Sequence, residues 1–315
     1  MIVSVSRRTD IPAFYYEWFY NRIKDGEVLI RNPFNRIQIS RIILNPNTVD
    51  CFVFWTKDPY KFIKKIHLLR DYNYYFQFTL NPYRDDIEKG VRKKKYIMET
   101  FKELSLMIGK EKVIWRYDPI LLNDYYNKEY HYTWFEKFCM NLEGYTEKCV
   151  ISFIDEYKKI RENSNILNLR NITNEDMKEI GKKLVKIANK YNIIIETCAE
   201  RIDLSFCGIN HGQCIDGKLI SRITGKDFTN AKLDNIRKGC RCLKSVDIGE
   251  YNSCMHRCTY CYANYNSKII ENNIKKHDKN SKLLLGNLQG DEKITYHYLI
   301  KEKMKNNKSN QLSFL

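Results

Sequence analysis

The chain has 315 residues, 43% of them hydrophobic, with 54 lysines and arginines against 38 acidic residues and a net charge of +16. A chain of this length can bury a substantial core as one large domain or two ordinary ones. No apolar run approaches the roughly 18 residues of a membrane span, and the opening "MIVSVSRRTD" lacks the basic-then-apolar layout of a secretory signal, so a cytoplasmic protein with no membrane role is expected.

From the N-terminus, the first β-rich run is "IVSVS" (residues 2–6), after which Asp10 and Pro12 open the helical pattern "AFYYEWFYNRI". "CFVFWT" (51–56) follows, then Asp58 and Pro59 ahead of "YKFIKKIHLL", then "YYFQFTL" (74–80), "KVIWRYD" (112–118) and "CVISFID" (149–155). Thr173 with Asp176 makes a capping box before "MKEIGKKLVKIANKY", and "IIIETCAE" (193–200) and "KSVDIG" (244–249) complete the series. Strands alternating with helices predict parallel βα units. The fold class is therefore α/β, a full or partial (β/α) barrel of the TIM type, with an open doubly wound sheet as the alternative. One domain is expected over residues 1–268, with its cysteine-bearing loops at 198–264. A Lys/Asn-rich extension then covers 269–315, flexible from about 305.

Along the strands one parity is apolar and is expected to face the helices. The other carries Ser4, Ser6 and Arg8; Gln77, Thr79 and Asn81; Arg116 and Asp118; Ser152; and Glu196, Cys198 and Glu200. These polar residues gather toward the C-terminal ends of the strands, where barrel active sites are built. Arg8, Arg116, Asp118, Glu196 and Glu200 are thus the candidate catalytic residues. The alternative is an internal network of buried ion pairs that needs no substrate.

There are 11 cysteines, an odd number. Without an export signal, metal or redox chemistry accounts for them better than a disulfide framework. Cys254, Cys258 and Cys261 form C-x3-C-x2-C within "CMHRCTYCYAN". Three thiolates on one loop hold a metal, yet a closed site takes four protein ligands. An iron–sulfur cluster with one open iron and a structural zinc loop both remain open. Cys198, Cys214, Cys240 and Cys242 supply the four thiolates of a second, closed site, iron–sulfur or zinc, with Cys207 or His211 as substitutes. Cys51, Cys139 and Cys149 read as buried small hydrophobes.

The triad and the aromatic Tyr260 closely resemble the cysteine loop of the radical S-adenosylmethionine (radical SAM) superfamily. That resemblance implies a catalytic [4Fe–4S] cluster whose open iron chelates the methionine part of S-adenosylmethionine. A reducing electron donor then drives cleavage to a 5'-deoxyadenosyl radical. It also implies that Tyr260 lies beside the adenine and that Asn264, closing the same motif, belongs to the cofactor site. The whole chain resembles a bacterial family known as domain of unknown function 1848. The match is carried by "VSRRTDIPAF" (5–14), "FWTKDP" (54–59), "FQFTLNPY" (76–83), "VIWRYDPI" (113–120), "SFIDEY" (152–157), "CAE" (198–200), "HGQCIDG" (211–217) and "DIGEYNSCMHRCTYCYAN" (247–264). In radical SAM enzymes the cysteine loop follows the first strand, whereas here it follows the last, a circularly permuted order. A Gly-Gly-Glu stretch of the kind that often holds the methionine amino group is absent from the sequence.

The leading expectation is a radical SAM enzyme of unidentified substrate, with a catalytic cluster at Cys254, Cys258 and Cys261 and a second [4Fe–4S] cluster at the four-cysteine group. A nucleic-acid-modifying or repair protein similar in logic to spore photoproduct lyase is the second, resting on the charge and the aromatics. A zinc-stabilised nucleic-acid-binding module without radical chemistry is the third. The final "QLSFL" (311–315), a polar Gln311 followed by apolar anchors up to Leu315, resembles the peptide by which bacterial proteins dock on the DNA sliding clamp.

Overall fold

Apolar side chains on both faces of a strand demand cover on both sides, and parallel strands with helical crossovers supply it. The computed structural model describes residues 1–154, 167–234 and 239–296. The extension beyond 296, including the stretch expected to be flexible and the clamp-like "QLSFL", lies outside the described residues, as do residues 155–157 of "SFIDEY".

The strands are β1 (Ile2–Val5), β2 (Glu27–Arg31), β3 (Gln38–Ile43), β4 (Cys51–Thr56), β5 (Tyr74–Thr79), β6 (Val113–Ile120), β7 (Lys148–Phe153), β8 (Ile194–Thr197), β9 (Asn210–His211), β10 (Val246–Asp247) and β11 (Lys293–Tyr296). An eight-stranded parallel sheet runs in the order β10-β1-β4-β5-β6-β7-β8-β9, and a separate three-stranded sheet runs β11-β3-β2. All seven β-rich runs of the sequence reading thus enter this one parallel sheet of a mixed α/β fold. The small sheet was not anticipated.

The helices are α1 (Ile11–Phe14), α2 (Tyr16–Asp25), α3 (Tyr60–Ile63), α4 (Lys94–Ile108), α5 (Lys128–Leu142), α6 (Asn174–Asn189), α7 (Gly217–Thr224) and α8 (Ser267–Ile274). Their starts are capped where the sequence says: the Asp10 side chain accepts from Ala13 N, and Thr173 and Asp176 form the reciprocal box. The pattern after Asp58 and Pro59 yields only the short α3 and a 3-10 turn at Ile66–Leu69. None of the helices of the described residues is long and apolar enough to cross a membrane.

The sheet has two different faces. Val3, Phe52, Phe54, Phe76, Phe78, Trp115 and Ile151 point outward into the core shared with the helices. On the inner face, Ile2, Val53, Tyr75, Ile114 and Val150 meet Cys198, Cys214, Ile215, Cys242 and Leu243 in a second buried cluster. The chain after β8 therefore folds back over the inside of the sheet. Tyr75 OH and Gln77 Nε2 donate to the Cys214 carbonyl at 2.7 and 2.9 Å and fix that covering segment.

The described part of the extension lies against the small sheet: Trp18 Nε1 donates to the carbonyls of Ser281 and Leu283 at 2.9 and 3.2 Å, Leu29 N donates to Lys282 O at 3.0 Å, and β11 adds to β3 in parallel.

Candidate active site

The inner face changes from apolar to polar toward the C-terminal ends of the strands, and there a cavity of about 270 Å³ opens. Arg8, Thr79, Arg116, Asp118 and Ser152 line it from the strand ends, and Cys254, Cys258, Cys261 and Tyr260 line it from the loop after β10. Residues far apart in sequence, chosen on period-2 spacing and on cysteine spacing, thus share one wall. β10 brings the loop there by pairing with β1. The Asp247 carboxylate accepts from Ser4 Oγ, Ser6 Oγ and Arg7 N at 2.7, 2.5 and 2.8 Å.

The cysteine loop is held by two partners. Gly90 N donates to His256 O at 2.9 Å and Thr259 N to Ile87 O at 3.0 Å. A Cβ on Gly90 would stand 2.4 Å from the Met255 carbonyl and 2.9 Å from His256 Cα, so only glycine permits this approach. His256 is wedged between the Gly90 carbonyl (3.0 Å from Nδ1) and Asp10 Oδ2 (2.8 Å from Nε2). Asp10 also accepts from Ala13 N and Lys57 N, at 2.9 and 2.7 Å. Asn264 is buried; its Nδ2 donates to Cys254 O at 3.0 Å, and its Oδ1 has no partner among the described residues.

Burial pushes the Cys254 thiol well above its ordinary range and Cys258 up to about 12, the latter against the opposing pull of Lys57. Thiols so raised are protonated at neutral pH and become thiolates when a bound cation replaces the proton. Beside them is a buried ionic network. Lys57 Nζ lies 2.7 Å from both Glu88 Oε1 and Tyr260 OH, and Tyr260 OH donates to Glu88 at 2.5 Å. Lys94 reaches the other Glu88 oxygen at 2.5 Å, and Asn81 Nδ2 donates to Tyr260 OH at 3.1 Å. Burial would raise the Glu88 carboxyl, but Lys57 and Lys94 together hold it well below the usual carboxylate range.

Arg116 connects this cavity to the second thiol group. Its guanidinium pairs with Asp118, donates to Cys214 Sγ at 2.9 Å and reaches Gln77 Oε1 at 3.2 Å. Cys214 Sγ lies 2.8 Å from Cys198 Sγ and is also hydrogen-bonded to Cys242, which in turn bonds Cys240. Accepting from Cys242 lowers the half-buried Cys240 to about 6. Cys198 lowers Cys214, but the Cys242 contact and burial outweigh it and leave Cys214 at about 11. The four cysteines of the second group are therefore brought together. Among the described residues no three histidine, cysteine, aspartate or glutamate side chains stand ready around one ion. The Cys198–Cys214 separation of 2.8 Å is shorter than the about 3.8 Å between two thiolates on tetrahedral zinc, so a bound metal requires these sulfurs to spread.

Cys207 packs in the outer core with its thiol on Leu204 O at 3.1 Å, and His211 Nδ1 faces Thr197 Oγ1 at 3.3 Å. Cys51, Cys139 and Cys149 are fully buried. Of the five strand-end candidates, Glu196 and Glu200 are not among the described residues lining the cavity. Glu196 pairs with Lys148 at 2.9 Å, and Glu200 accepts from Phe153 N at 2.8 Å. Sequence reasoning missed Lys57, Glu88 and His256 as site residues. A lysine directly after the buried "CFVFWT" and a histidine inside the triad were the available signals.

The sequence model of a family described as "Domain of unknown function (DUF1848)" matches residues 2–263. No curated protein and no solved structure matches the chain.

Proposed function

The chain belongs to the family described as a domain of unknown function (DUF1848), and from that premise we propose an iron–sulfur enzyme of the radical SAM type, built on a partial (β/α) barrel whose interior is filled by the cysteine-bearing segment. The observation that carries the reading is the position of Cys254, Cys258 and Cys261: three thiols of one loop open on the cavity where Arg8, Arg116 and Asp118 converge. His256, the nearest alternative ligand in sequence, has both ring nitrogens committed to Gly90 and Asp10. The loop thus offers three ligands, which suits a four-iron cluster with one open iron better than a closed zinc site.

The donor set fits such a cluster: all three cysteines line the cavity, and Asn264 leaves one buried acceptor unfilled. When bound, a cluster of this kind would pass one electron from an external reductant to S-adenosylmethionine, whose C–S bond would break to give methionine and the 5'-deoxyadenosyl radical. The chain's own residues bind and orient. Lys57 and Glu88 lock the Tyr260 hydroxyl, so the ring is fixed in the cavity wall as a face for the adenine. The Asp10–His256 pair sets the height of the loop. Arg8 and the Arg116–Asp118 pair provide charged contacts for the methionine carboxylate and amine or for the substrate. Cys198, Cys214, Cys240 and Cys242 would hold an auxiliary cluster once Cys198 and Cys214 spread, with Arg116, hydrogen-bonded to Cys214, between the two sites.

Protein purified and reconstituted anaerobically is expected to carry roughly eight irons per chain, and Cys254→Ala to lose about four of them. Dithionite-reduced protein given S-adenosylmethionine is expected to release 5'-deoxyadenosine. Zinc in place of iron after reconstitution, with no 5'-deoxyadenosine formed, would sink the reading. Four irons with one zinc would assign zinc to the four-thiol group alone.

A further inference from the structure

A second, larger cavity of about 1200 Å³ lies between the β2–β3 connection, the cysteine loop and the extension. It exceeds the roughly 300–1000 Å³ of ordinary small-molecule pockets. Tyr262 lines both this cavity and the thiol cavity, so the two share a wall. From the geometry we infer that this cleft binds a nucleic-acid strand with unpaired bases, and that the substrate of the proposed enzyme is such a strand. The inference deepens that proposal by naming a substrate class, and its test measures binding alone.

The lining has the chemistry that an unpaired strand requires. Aromatic faces are unusually bare there: Phe34 is 93% exposed and Tyr265 66%. Stacking on such faces tolerates any base. The cations at the cleft are divided. Arg31 is held by Glu292 at 3.0 Å. Arg36 and Lys276 are exposed and make no ion pair among the described residues, and remain available for phosphate. The amides of Asn287 and Gln289 add groups that can meet base edges. Three acidic side chains also line the cleft: Glu292 is paired with Arg31, Asp291 is exposed, and burial raises Glu250 to about 7, against Arg36, Arg8 and Arg31, which reduces its charge near neutrality. One pairing of ring and cation joins the two cavities: Arg8, on the wall of the thiol cavity, lies over Tyr251 of the cleft at 5.0 Å. A chain of net charge +16 draws phosphate from a distance, and an exposed aromatic beside an unpaired cation is what turns that attraction into a seat. A strand in the cleft has a base against Tyr262, one residue from Cys261.

The test is fluorescence anisotropy with the purified protein, without S-adenosylmethionine, and a fluorescein-labelled mixed-sequence oligonucleotide of roughly 16 nucleotides. Single-stranded DNA and single-stranded RNA arms tell which sugar is accepted, and a duplex arm and heparin serve as competitors. Single strands are expected to bind more tightly than duplex, with log affinity falling linearly in log salt. Phe34→Ala and Tyr265→Ala should each weaken binding roughly 5- to 100-fold while leaving the thermal midpoint in place, since both side chains are largely exposed. Arg36→Glu should weaken it far more than Lys178→Glu, an equal charge change on α6 outside the cleft. Absence of binding would overturn the inference. So would equal losses from Arg36→Glu and Lys178→Glu, or heparin binding as well as the oligonucleotide with the aromatic variants unaffected. None of these outcomes depends on iron or on 5'-deoxyadenosine, so the enzyme class can fail while the cleft assignment stands, and the reverse.

Discussion

Glu88 is a carboxylate with almost no contact with water and two ammonium groups within hydrogen-bond reach. Its folded-state affinity for a proton lies below that of the unfolded chain, so it contributes stability that is fully present above the unfolded value of about 4.3 and disappears as pH falls toward the folded one. Glu88→Gln is expected to cost about 3–5 kcal/mol at pH 7, because Lys57 and Lys94 keep their charge without a partner. In urea unfolding followed below pH 4.3, the gap between wild type and variant should narrow by about 1.4 kcal/mol per pH unit; a gap that stays constant with pH would refute the assignment. At this scale the sequence was readable where side-chain parity persists. Arg116 and Asp118 alternate within β6 and both reach the cavity, whereas Glu200 lies beyond the end of β8, past Ala199 at a φ of 54°, where strand alternation no longer applies. Glu196 does obey the alternation, but Lys148 at the start of β7 claims it, and no local pattern announces a partner 48 residues away. Glu88 was invisible for the same reason: its partners Lys57 and Tyr260 come from other elements.

The cysteine loop depends on a neighbouring loop for its position, and that dependence passes through Gly90. Gly90→Ala places a methyl group against the backbone of Met255 and His256, which cannot rotate away. The loop must move while the eight-stranded sheet is untouched. Iron recovered after reconstitution should therefore fall by about the four atoms of one cluster, with far-ultraviolet circular dichroism unchanged; full iron loading in this variant would show that the contact does not set the loop. The strands of the large sheet were legible as elements because they are apolar on both faces, which yields long uninterrupted runs such as "CFVFWT". β2 and β3 were missed because their pairing is completed by β11, some 250 residues later, and a half-buried hairpin carries a weaker pattern. The Asp58–Pro59 helix was over-read: it stops after one turn because the chain needs the 3-10 segment to bury Ile66 and Leu69 before entering β5.

As a whole, the molecule is a large sheet with an inner filling and an outer strap. The strap, from α8 to β11, carries the carbonyls that receive Trp18, a fully buried indole on α2. A chain ending at residue 266 should leave that indole wet, with red-shifted fluorescence and a stability loss of roughly 3–5 kcal/mol, the range for losing the packing of a large aromatic. An unshifted spectrum and an unchanged urea midpoint would mean that the strap only rests on the surface. The inner filling has a different implication, one of timing. Every cysteine proposed as a ligand lies at Cys198 or later, and a growing polypeptide folds from its N-terminus at about 5–20 residues per second. On the ribosome the strands through β8 exist before the segment that lines them, so their inner apolar side chains wait uncovered. Any metal held by the proposed ligands would then have to arrive after Cys261 is made, when the late thiols complete the interior.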